Sequence, residues 1–282
     1  MHQAFNRRTP MRDVNVLIMS GFGLNCDTET AYAFQLAGGK TRSVHINSLI
    51  DGSARLLDFQ IMVFIGGFSW ADDHGAGVVQ AVRLKTNIGD KILEFVDRGN
   101  LVLGICNGFQ VLVNLGLLPG FNRDYTRRSV ALTINDCGNF RNQWVHLKSN
   151  RASPCVFTSG IDTAEFPVRH GEGKFYADDH TLARLQENNQ ITLQYAGADG
   201  QPARGRFPAN PNGSLFDIAG ICDPTGRIFG LMPHPEADNH WTNHPDWTRR
   251  HEKARRQGQS PDYGPTVGIR MLQNAVDYIR SR

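Results

Sequence analysis

The sequence contains no C-x-x-C pair, and its five cysteines are scattered over positions 26, 106, 137, 155 and 222. An odd number of isolated cysteines argues against a disulfide framework and against a structural zinc site. This cysteine usage is typical of a reducing compartment, so we expect a cytoplasmic protein. The helical zinc motif H-E-x-x-H is also missing, and we expect no metal ion in this chain.

Long apolar runs and a large excess of one charge are missing too. The apolar run Val14–Met19 is too short for a signal peptide or a membrane span. The formal net charge of +3 gives no reason to expect nucleic acid or a membrane as a partner. The 282 residues, of which 40% are hydrophobic, are enough to bury a substantial core.

The first half of the chain alternates strand-like and helix-like segments. The predicted strands are Val14–Met19, Thr41–Ile46, Ile61–Ile65 and Leu101–Ile105. Apolar residues sharing one face predict a long helix, namely Val78, Val82, Ile88, Ile92, Phe95 and Val96. This alternation predicts an α/β fold with an open, mostly parallel sheet of the flavodoxin-like type and helices on both faces.

The second half is rich in strand-like segments. They are Val130–Ile134, Gln143–Leu147, Glu165–Arg169, Ile191–Tyr195, Ser214–Ile221 and Arg227–Leu231, and an amphipathic helix follows at Val267–Ile279. A turn sequence at residues 223–226 predicts a hairpin, so we expect an antiparallel extension of the same sheet. We expect a single domain over residues 13–282, with a flexible leader at residues 1–12 and a basic surface excursion at about residues 237–265.

The segment LVLGICNGFQVLVNL at residues 101–115 is the most informative part of the chain. It predicts a buried strand, a cysteine between two glycines, and a helix. Gly104, Cys106 and Gly108 form G-x-C-x-G, a cysteine version of the nucleophile elbow. The start of the helix favours the thiolate form of a cysteine placed there. The alternative is that Cys106 is an ordinary buried core cysteine.

A cysteine nucleophile needs a base and a group that orients the base. His234 follows a predicted strand and lies between two prolines, which restrict its backbone. Glu236, two residues later, can accept a hydrogen bond from the imidazole ring. A surface histidine in a proline turn and a His/Glu metal pair are the alternatives.

Acyl transfer also needs donors for an oxyanion. Gly66 and Gly67 follow the third predicted strand, and the N–H of Asn107 follows the nucleophile. The loop at residues 170–173 adds polar groups and glycines after another strand, although it could be a plain exposed turn. His240, His244 and the basic run at residues 249–256 lack a supporting pattern, and we expect them to be solvated.

With these residues the chain resembles the triad (class I) glutamine amidotransferases. Among them it is most similar to the glutaminase subunits of phosphoribosylformylglycinamidine synthases, which act in purine biosynthesis. The matching segments are FGLNCDTET at 22–30, GGFSWADDHGAG at 66–77, GICNGFQVL at 104–112, HGEGKFYA at 170–177, GSLFDIAGI at 213–221 and GLMPHPEAD at 230–238. The chain departs from the family's usual aromatic-Gly-Asp at residues 70–72, in a longer leader, and in an enlarged basic excursion.

The resemblance implies the role of each site residue. It makes Cys106 the nucleophile, His234 the general base and Glu236 the partner of that base. It assigns the oxyanion hole to Gly67 and Asn107. The residues that it places in contact with the bound glutamine are Gln110, Gly171 and Glu172.

The resemblance also implies the partners. The substrate is L-glutamine, and ammonia passes to an ATP-dependent synthetase that makes formylglycinamidine ribonucleotide, with a small bridging subunit. This chain has no P-loop motif G-x-x-x-x-G-K-[ST], so ATP and magnesium are expected on the synthetase and no cofactor on this chain. Three alternatives stay open: a glutaminase of another synthetase such as that of vitamin B6 synthesis, a cysteine hydrolase without glutamine specificity, and a non-catalytic scaffold.

Overall fold

The computed structural model describes residues 13–260 and 264–282, so the predicted leader lies outside the described residues. The described strands are β1 (Asn15–Ser20), β2 (Lys40–His45), β3 (Ile61–Phe64), β4 (Leu101–Ile105), β5 (Ala131–Thr133), β6 (Arg141–Ser149), β7 (Thr163–His170), β8 (Lys174–Tyr176), β9 (Ile191–Ala196), β10 (Ile218–Cys222) and β11 (Ile228–Leu231). The described helices are α1 (Asp27–Leu36), α2 (Ile46–Ile50), α3 (Val78–Asp97), α4 (Asn107–Leu115), α5 (Asp179–Glu187), α6 (Trp247–Arg256) and α7 (Val267–Arg280). None of these helices combines the length and the apolar character that crossing a membrane requires.

Nine strands form one mixed sheet that runs through both halves of the described chain. Their order is β2-β1-β3-β4-β11-β10-β9-β6-β7. The first five neighbours are parallel and the last four strands continue the sheet in antiparallel pairs. The predicted fold class and its antiparallel extension are therefore confirmed. Because β3, β4 and β11 run parallel, the segments that follow them meet at the same edge of the sheet.

Helices cover both faces of this sheet: α1 packs with α7, and α3 packs with α4. The predicted long helix is present as α3, but one of its assigned core residues is wrong. Val82 is 58% exposed, whereas Ala81, Leu84, Ile88 and Ile92 are buried. Ala81 and Leu84 take the place of Val82 on the buried face of α3, and Val82 lies on the solvent side.

Two predicted strands in the second half differ from the observed ones. The segment Val130–Ile134 is shortened to β5, which pairs with β8 in a separate two-stranded sheet. Ser214–Ile221 begins as a 3-10 turn, because Phe216 and Asp217 have φ values of 53° and 55° that a strand cannot accommodate. The predicted hairpin is confirmed, since β10 and β11 are antiparallel neighbours.

The excursion, meaning residues 237–260 of the described chain, contains the helix α6. Most arginines of α6 are exposed, as the sequence indicates. The expectation that His244 is solvated is wrong: its ring is buried, and Nε2 lies 2.8 Å from Oε2 of Glu165 on β7. Arg250 donates to the same carboxylate at 2.8 Å. The excursion is thus fastened to the edge of the sheet by an acidic residue more than 70 positions earlier in the sequence.

Candidate active site

Cys106 lies at a sharp turn between β4 and α4. Its φ of 52° and ψ of −108° are unusual for a residue with a side chain, and such backbone strain is concentrated at functional sites. The Cys106 N–H donates to the carbonyl oxygen of Leu231 on the neighbouring strand β11, at 2.8 Å. Only 5% of Cys106 is exposed, and its thiol precedes the first turn of α4. The segment therefore has the geometry of the predicted elbow.

The two flanking glycines are required by close packing. A Cβ added to Gly108 would lie 1.9 Å from the carbonyl oxygen of Phe64, and one added to Gly104 would lie 2.7 Å from the carbonyl oxygen of Gly108. Real side chains do not approach a backbone oxygen so closely. The G-x-C-x-G pattern thus lets α4 lie directly against the ends of β3 and β4.

We expect Gly108→Ala to lower the free energy of unfolding by about 1–3 kcal/mol, because the new methyl group overpacks a rigid backbone contact. Gly89→Ala is the matched control within α3, where the nearest atom to an added Cβ is Cγ of Lys85 at 4.0 Å. This control should gain about 0.5–1 kcal/mol, since alanine is the better helix former. Denaturant titration measures both, and equal effects of the two substitutions would contradict the packing argument.

His234 and Glu236 follow β11 and reach the same edge of the sheet as Cys106. Nδ1 of His234 lies 2.6 Å from Oε1 of Glu236, and both side chains are buried. The His234 N–H donates to the carbonyl oxygen of Pro167 at 2.9 Å, which fixes this loop against β7. The structure therefore brings the predicted histidine, its carboxylate and the elbow cysteine into one buried cluster.

The charge state of His234 follows from its neighbours. Burial lowers the pKa of His234, but the Glu236 carboxylate and the nearby thiols of Cys106 and Cys26 raise it well above its ordinary value. The protonated imidazolium is the form that stabilises a neighbouring thiolate. In the described part of the chain, Nε2 of His234 has no hydrogen-bond partner. One ring nitrogen thus binds Glu236, and the other is available to a reacting group.

The predicted oxyanion donors lie at the same edge of the sheet. Gly67 follows β3 and has a φ of 144°. A Cβ there would lie 2.8 Å from both the carbonyl oxygen of Gly23 and Cα of Leu24, so only glycine fits. Asn107 is the first residue of α4, where N–H groups have no partner within the helix. The assignment of these two N–H groups to an oxyanion hole stays a prediction.

Gln110 belongs to a chain of polar contacts beside the elbow. Nδ2 of Asn107 donates to Oδ1 of Asp72 at 3.2 Å and to Oε1 of Gln110 at 3.1 Å, and Nε2 of Gln110 donates to the carbonyl oxygen of Glu172 at 2.6 Å. Burial and the nearby Glu172 raise the pKa of Asp72 to about 6. Asp72 was not predicted as a site residue, although it lies in the segment that departs from the family pattern.

The loop after β7 is organised by His170 and Asn135. The amide oxygen of Asn135 lies 3.1 Å from Nδ1 of His170 and accepts from the N–H of Gly173 at 2.9 Å, while the Asn135 N–H donates to the carbonyl oxygen of Gly171. Burial and the charge of His234 lower the pKa of His170 to about 4, so its ring is neutral. The loop carrying Gly171 and Glu172 is thus rigid and adjoins the site, while their contact with glutamine stays a prediction.

Cys26 is a second residue of the site that sequence reasoning missed. Its sulfur, a carboxylate oxygen of Glu236 and a ring nitrogen of His234 all lie within 4.8 Å of one another. Burial raises the pKa of Cys26. These are zinc-type ligands, but the 2.6 Å hydrogen bond to Glu236 occupies Nδ1 of His234, so an ion there would have to break the pair. Because Cys26 follows β1, the rule that parallel strands end at one edge could have revealed it.

A cysteine on a strand–helix turn, with a buried His–Glu pair at the same edge of a mostly parallel sheet, defines a class of cysteine-dependent amidotransferases and hydrolases. The chain belongs to the CobB/CobQ-like glutamine amidotransferase domain family, which matches residues 13–279. This confirms the resemblance stated from the motifs.

Individual members of this family match nearly the whole chain. Phosphoribosylformylglycinamidine synthase subunit PurQ of Methanococcus maripaludis is 48% identical over 263 residues, covering 93% of this chain and 96% of that protein. The protein of the same name from Dehalococcoides mccartyi is 44% identical over 270 residues, covering 96% and 99%. Among solved structures, PurLQS from Thermotoga maritima contains a chain that is 26% identical, with a TM-score of 0.67 and 95% of this chain covered.

Proposed function

We propose that this chain is the glutaminase subunit of a phosphoribosylformylglycinamidine synthase. The observation that carries the proposal is the buried cluster of Cys106, His234 and Glu236 at one edge of the sheet. Relatives that are 48% and 44% identical over nearly their whole length bear that subunit's name. The chain is therefore a glutamine amidotransferase that supplies ammonia from glutamine.

The reaction begins when the Cys106 thiolate attacks the carbonyl carbon of the glutamine side-chain amide. The N–H groups of Gly67 and Asn107 stabilise the oxyanion that forms. When the tetrahedral intermediate collapses, the carbon–nitrogen bond breaks and His234 gives its proton to the leaving ammonia. A γ-glutamyl thioester on Cys106 remains.

Hydrolysis of the thioester completes the cycle. His234, now neutral, takes a proton from a water molecule that attacks the thioester carbonyl, and the carbon–sulfur bond breaks to release glutamate. The resulting imidazolium again faces the Cys106 thiolate. Glu236 holds the imidazole ring in one orientation and stabilises its charged form. Gln110, Gly171 and Glu172 are the residues that we place against the bound glutamine.

A partner protein is required for the step that uses the released ammonia. We assign ATP and magnesium to a separate ATP-dependent synthetase, because this sequence has no P-loop, and we include a small bridging subunit in the complex. The five cysteines are free thiols, which fits a reducing compartment and supports a cytoplasmic location.

Exposed aromatic side chains surround the site and support a docking partner. Phe22 follows β1 and Phe68 follows β3, and both are exposed at the edge that carries Cys106. Phe140, which is 50% exposed, packs against Phe68 with ring centroids 6.2 Å apart. Exposed apolar surface of this kind marks contacts between proteins, and here it would seal the path of ammonia.

The test combines the chain with its cognate synthetase. We expect slow glutamine hydrolysis by the isolated chain and a rate at least roughly tenfold higher with the synthetase. Binding of the synthetase at the aromatic surface is then coupled to the neighbouring catalytic cluster, and such coupling commonly changes an equilibrium by roughly 5- to 150-fold. Phe140→Asp should lose most of this stimulation, because it places a charge in the apolar contact. The measurement is glutamate release together with glutamine-dependent formation of the amidine.

Leu36→Asp is the matched control. Leu36 is 44% exposed. It is the last residue of α1, which begins beside the site and runs away from it. This variant should be stimulated as the wild type is. A wild-type rate that is unchanged by the synthetase, or ammonia delivery to a different synthetase only, would overturn the proposed function.

A further inference from the structure

A cavity of about 570 Å³ lies between the excursion and the sheet, away from the catalytic cluster. Strands β6 and β7 and the loop after β9 form one side, and the excursion forms the other. Its size falls in the range of roughly 300–1,000 Å³ that small-molecule sites occupy. Its lining includes Glu165, Asp238, Trp241, Trp247, Arg250 and His251.

One wall of this cavity is aromatic. The indole rings of Trp241 and Trp247 meet edge to face with centroids 5.2 Å apart, and the His251 ring stacks on Trp241 at 6.1 Å. Both indoles are partly exposed and line the cavity. Because the two indole planes are nearly perpendicular, a planar heterocycle can stack on the face of one indole and lie beside the other.

The polar groups of the cavity are held in place by contacts between β7 and the excursion. Both carboxylate oxygens of Glu165 accept from Arg250, at 3.0 and 2.8 Å, and His244 contacts the same group. Asp238 accepts from the N–H of Gly268 at 3.0 Å, and burial together with the charge of Glu165 raises the pKa of Asp238 to about 7. Carboxylates that are fixed in this way can accept hydrogen bonds from the amino and ring N–H groups of a base.

We propose that this cavity binds a purine nucleoside through its base, stacked on the Trp247 indole beside Trp241, with its N–H groups directed to Glu165 and Asp238. A bicyclic purine presents more stacking area to an indole face than a pyrimidine does, so purines are preferred. The Arg250 guanidinium is already paired with Glu165, and the wall therefore favours an uncharged base over a ligand recognised by its charge.

The cavity is joined to the catalytic loop by hydrogen bonds. Nδ2 of Asn239 donates to the carbonyl oxygen of Glu236 at 2.9 Å, and Nδ2 of Asn243 donates to that of Ala237 at 3.0 Å. A nucleoside that restrains the excursion therefore also restrains Glu236 behind His234. We therefore expect that a nucleoside bound in the cavity raises the kcat for glutamine hydrolysis, an expectation that rests on the proposed function.

The experiment titrates the full chain with adenosine, guanosine and cytidine, and follows heat and tryptophan fluorescence. Binding is measured on wild type and on Cys106→Ala, so a failed glutaminase assay would leave this result untouched. We expect both purine nucleosides to bind at least roughly tenfold more tightly than cytidine, because stacking dominates the contact. Trp247→Ala should weaken binding to a similar extent, and Trp247→Phe, which keeps a ring, should retain most of it.

Trp70→Ala is the matched control, since Trp70 packs against Phe22 near the active-site edge and does not line the cavity. It should bind nucleosides as the wild type does. No heat up to millimolar nucleoside, equal affinity for cytidine, or an equal loss in Trp70→Ala would overturn the proposed site. Binding without any change in kcat would overturn the coupling to the catalytic loop.

Discussion

We expect that replacing Cys106 with alanine abolishes glutamine hydrolysis, while the proposed complex with the synthetase still uses free ammonia. The nucleophile is the one group whose loss stops thioester formation outright, so the rate should fall by roughly 10⁴- to 10⁶-fold, to background. The synthetase, to which we assign the ATP-dependent step, should keep its activity when ammonium salt replaces glutamine. Glutamate release and amidine formation, each measured with glutamine and with ammonia, separate the two activities.

Cys26→Ala is the control for this result. Cys26 is a second buried thiol beside the same imidazole, but it follows β1 and does not lie on the strand–helix elbow. It should keep glutamine turnover within about tenfold of the wild type, because the elbow cysteine and the His234–Glu236 pair are both retained. A Cys106→Ala protein that still hydrolyses glutamine, or an equally inactive Cys26→Ala protein, would show that the elbow cysteine has been misassigned.

Glu236→Gln lowers kcat by roughly 100- to 10,000-fold, the range of general acid–base catalysis. The substitution keeps the shape of a fully buried side chain but removes its charge. Without that charge the pKa of His234 falls, because burial then dominates over the remaining hydrogen bonds. The imidazolium that gives a proton to ammonia is consequently lost at lower pH, and the alkaline limb of the kcat profile moves to lower pH.

The same substitution changes how stability depends on pH. In the wild type the folded pKa of His234 is raised, so its contribution to stability is fully present below the unfolded pKa of about 6.5 and is lost as pH rises through the folded value. Glu236→Gln should show a smaller loss over this range. Unfolding free energies measured on both sides of neutral pH test this, and an unchanged pH slope would contradict the role given to the pair.

Glu165→Gln is the matched control for Glu236→Gln. Glu165 also pairs with a buried histidine, His244, at 2.8 Å, but the pair lies beside the excursion and not beside Cys106. This variant should keep kcat for glutamine in the absence of nucleoside. If both glutamine variants lose activity equally, the effect of Glu236→Gln reflects general destabilisation and not the chemistry of the triad.

Local chemistry made the elbow and the central sheet predictable. The G-x-C-x-G pattern alone indicates the steric role of the glycines around Cys106. The apolar run of β4 has the bounds predicted for it. His234 could be linked to Cys106 because both follow predicted strands, and parallel strands bring such segments to one edge. That rule connects residues more than a hundred positions apart without any knowledge of their contacts.

Contacts that depend on tertiary packing were not predictable in the same way. His244 is surrounded by polar residues in the sequence, and the packing of Trp144 and Glu165 against its ring buries it. Phe216 belongs to an apolar run that looks like a strand, yet its left-handed backbone conformation turns the chain. Cys26 follows β1, so the edge rule could have placed it near His234, but no local motif marks it as a site residue.

The central claim is that the Cys106 sulfur, and no other thiol, attacks the substrate. The most direct measurement is to treat the wild-type protein with a chloroketone analogue of glutamine, which a thiolate alkylates with loss of chloride, and to map the modified peptide by mass spectrometry. Modification of Cys106 alone, prevented by excess glutamine, is the predicted result. Modification of Cys26 in place of Cys106, or no protection by glutamine, would contradict it.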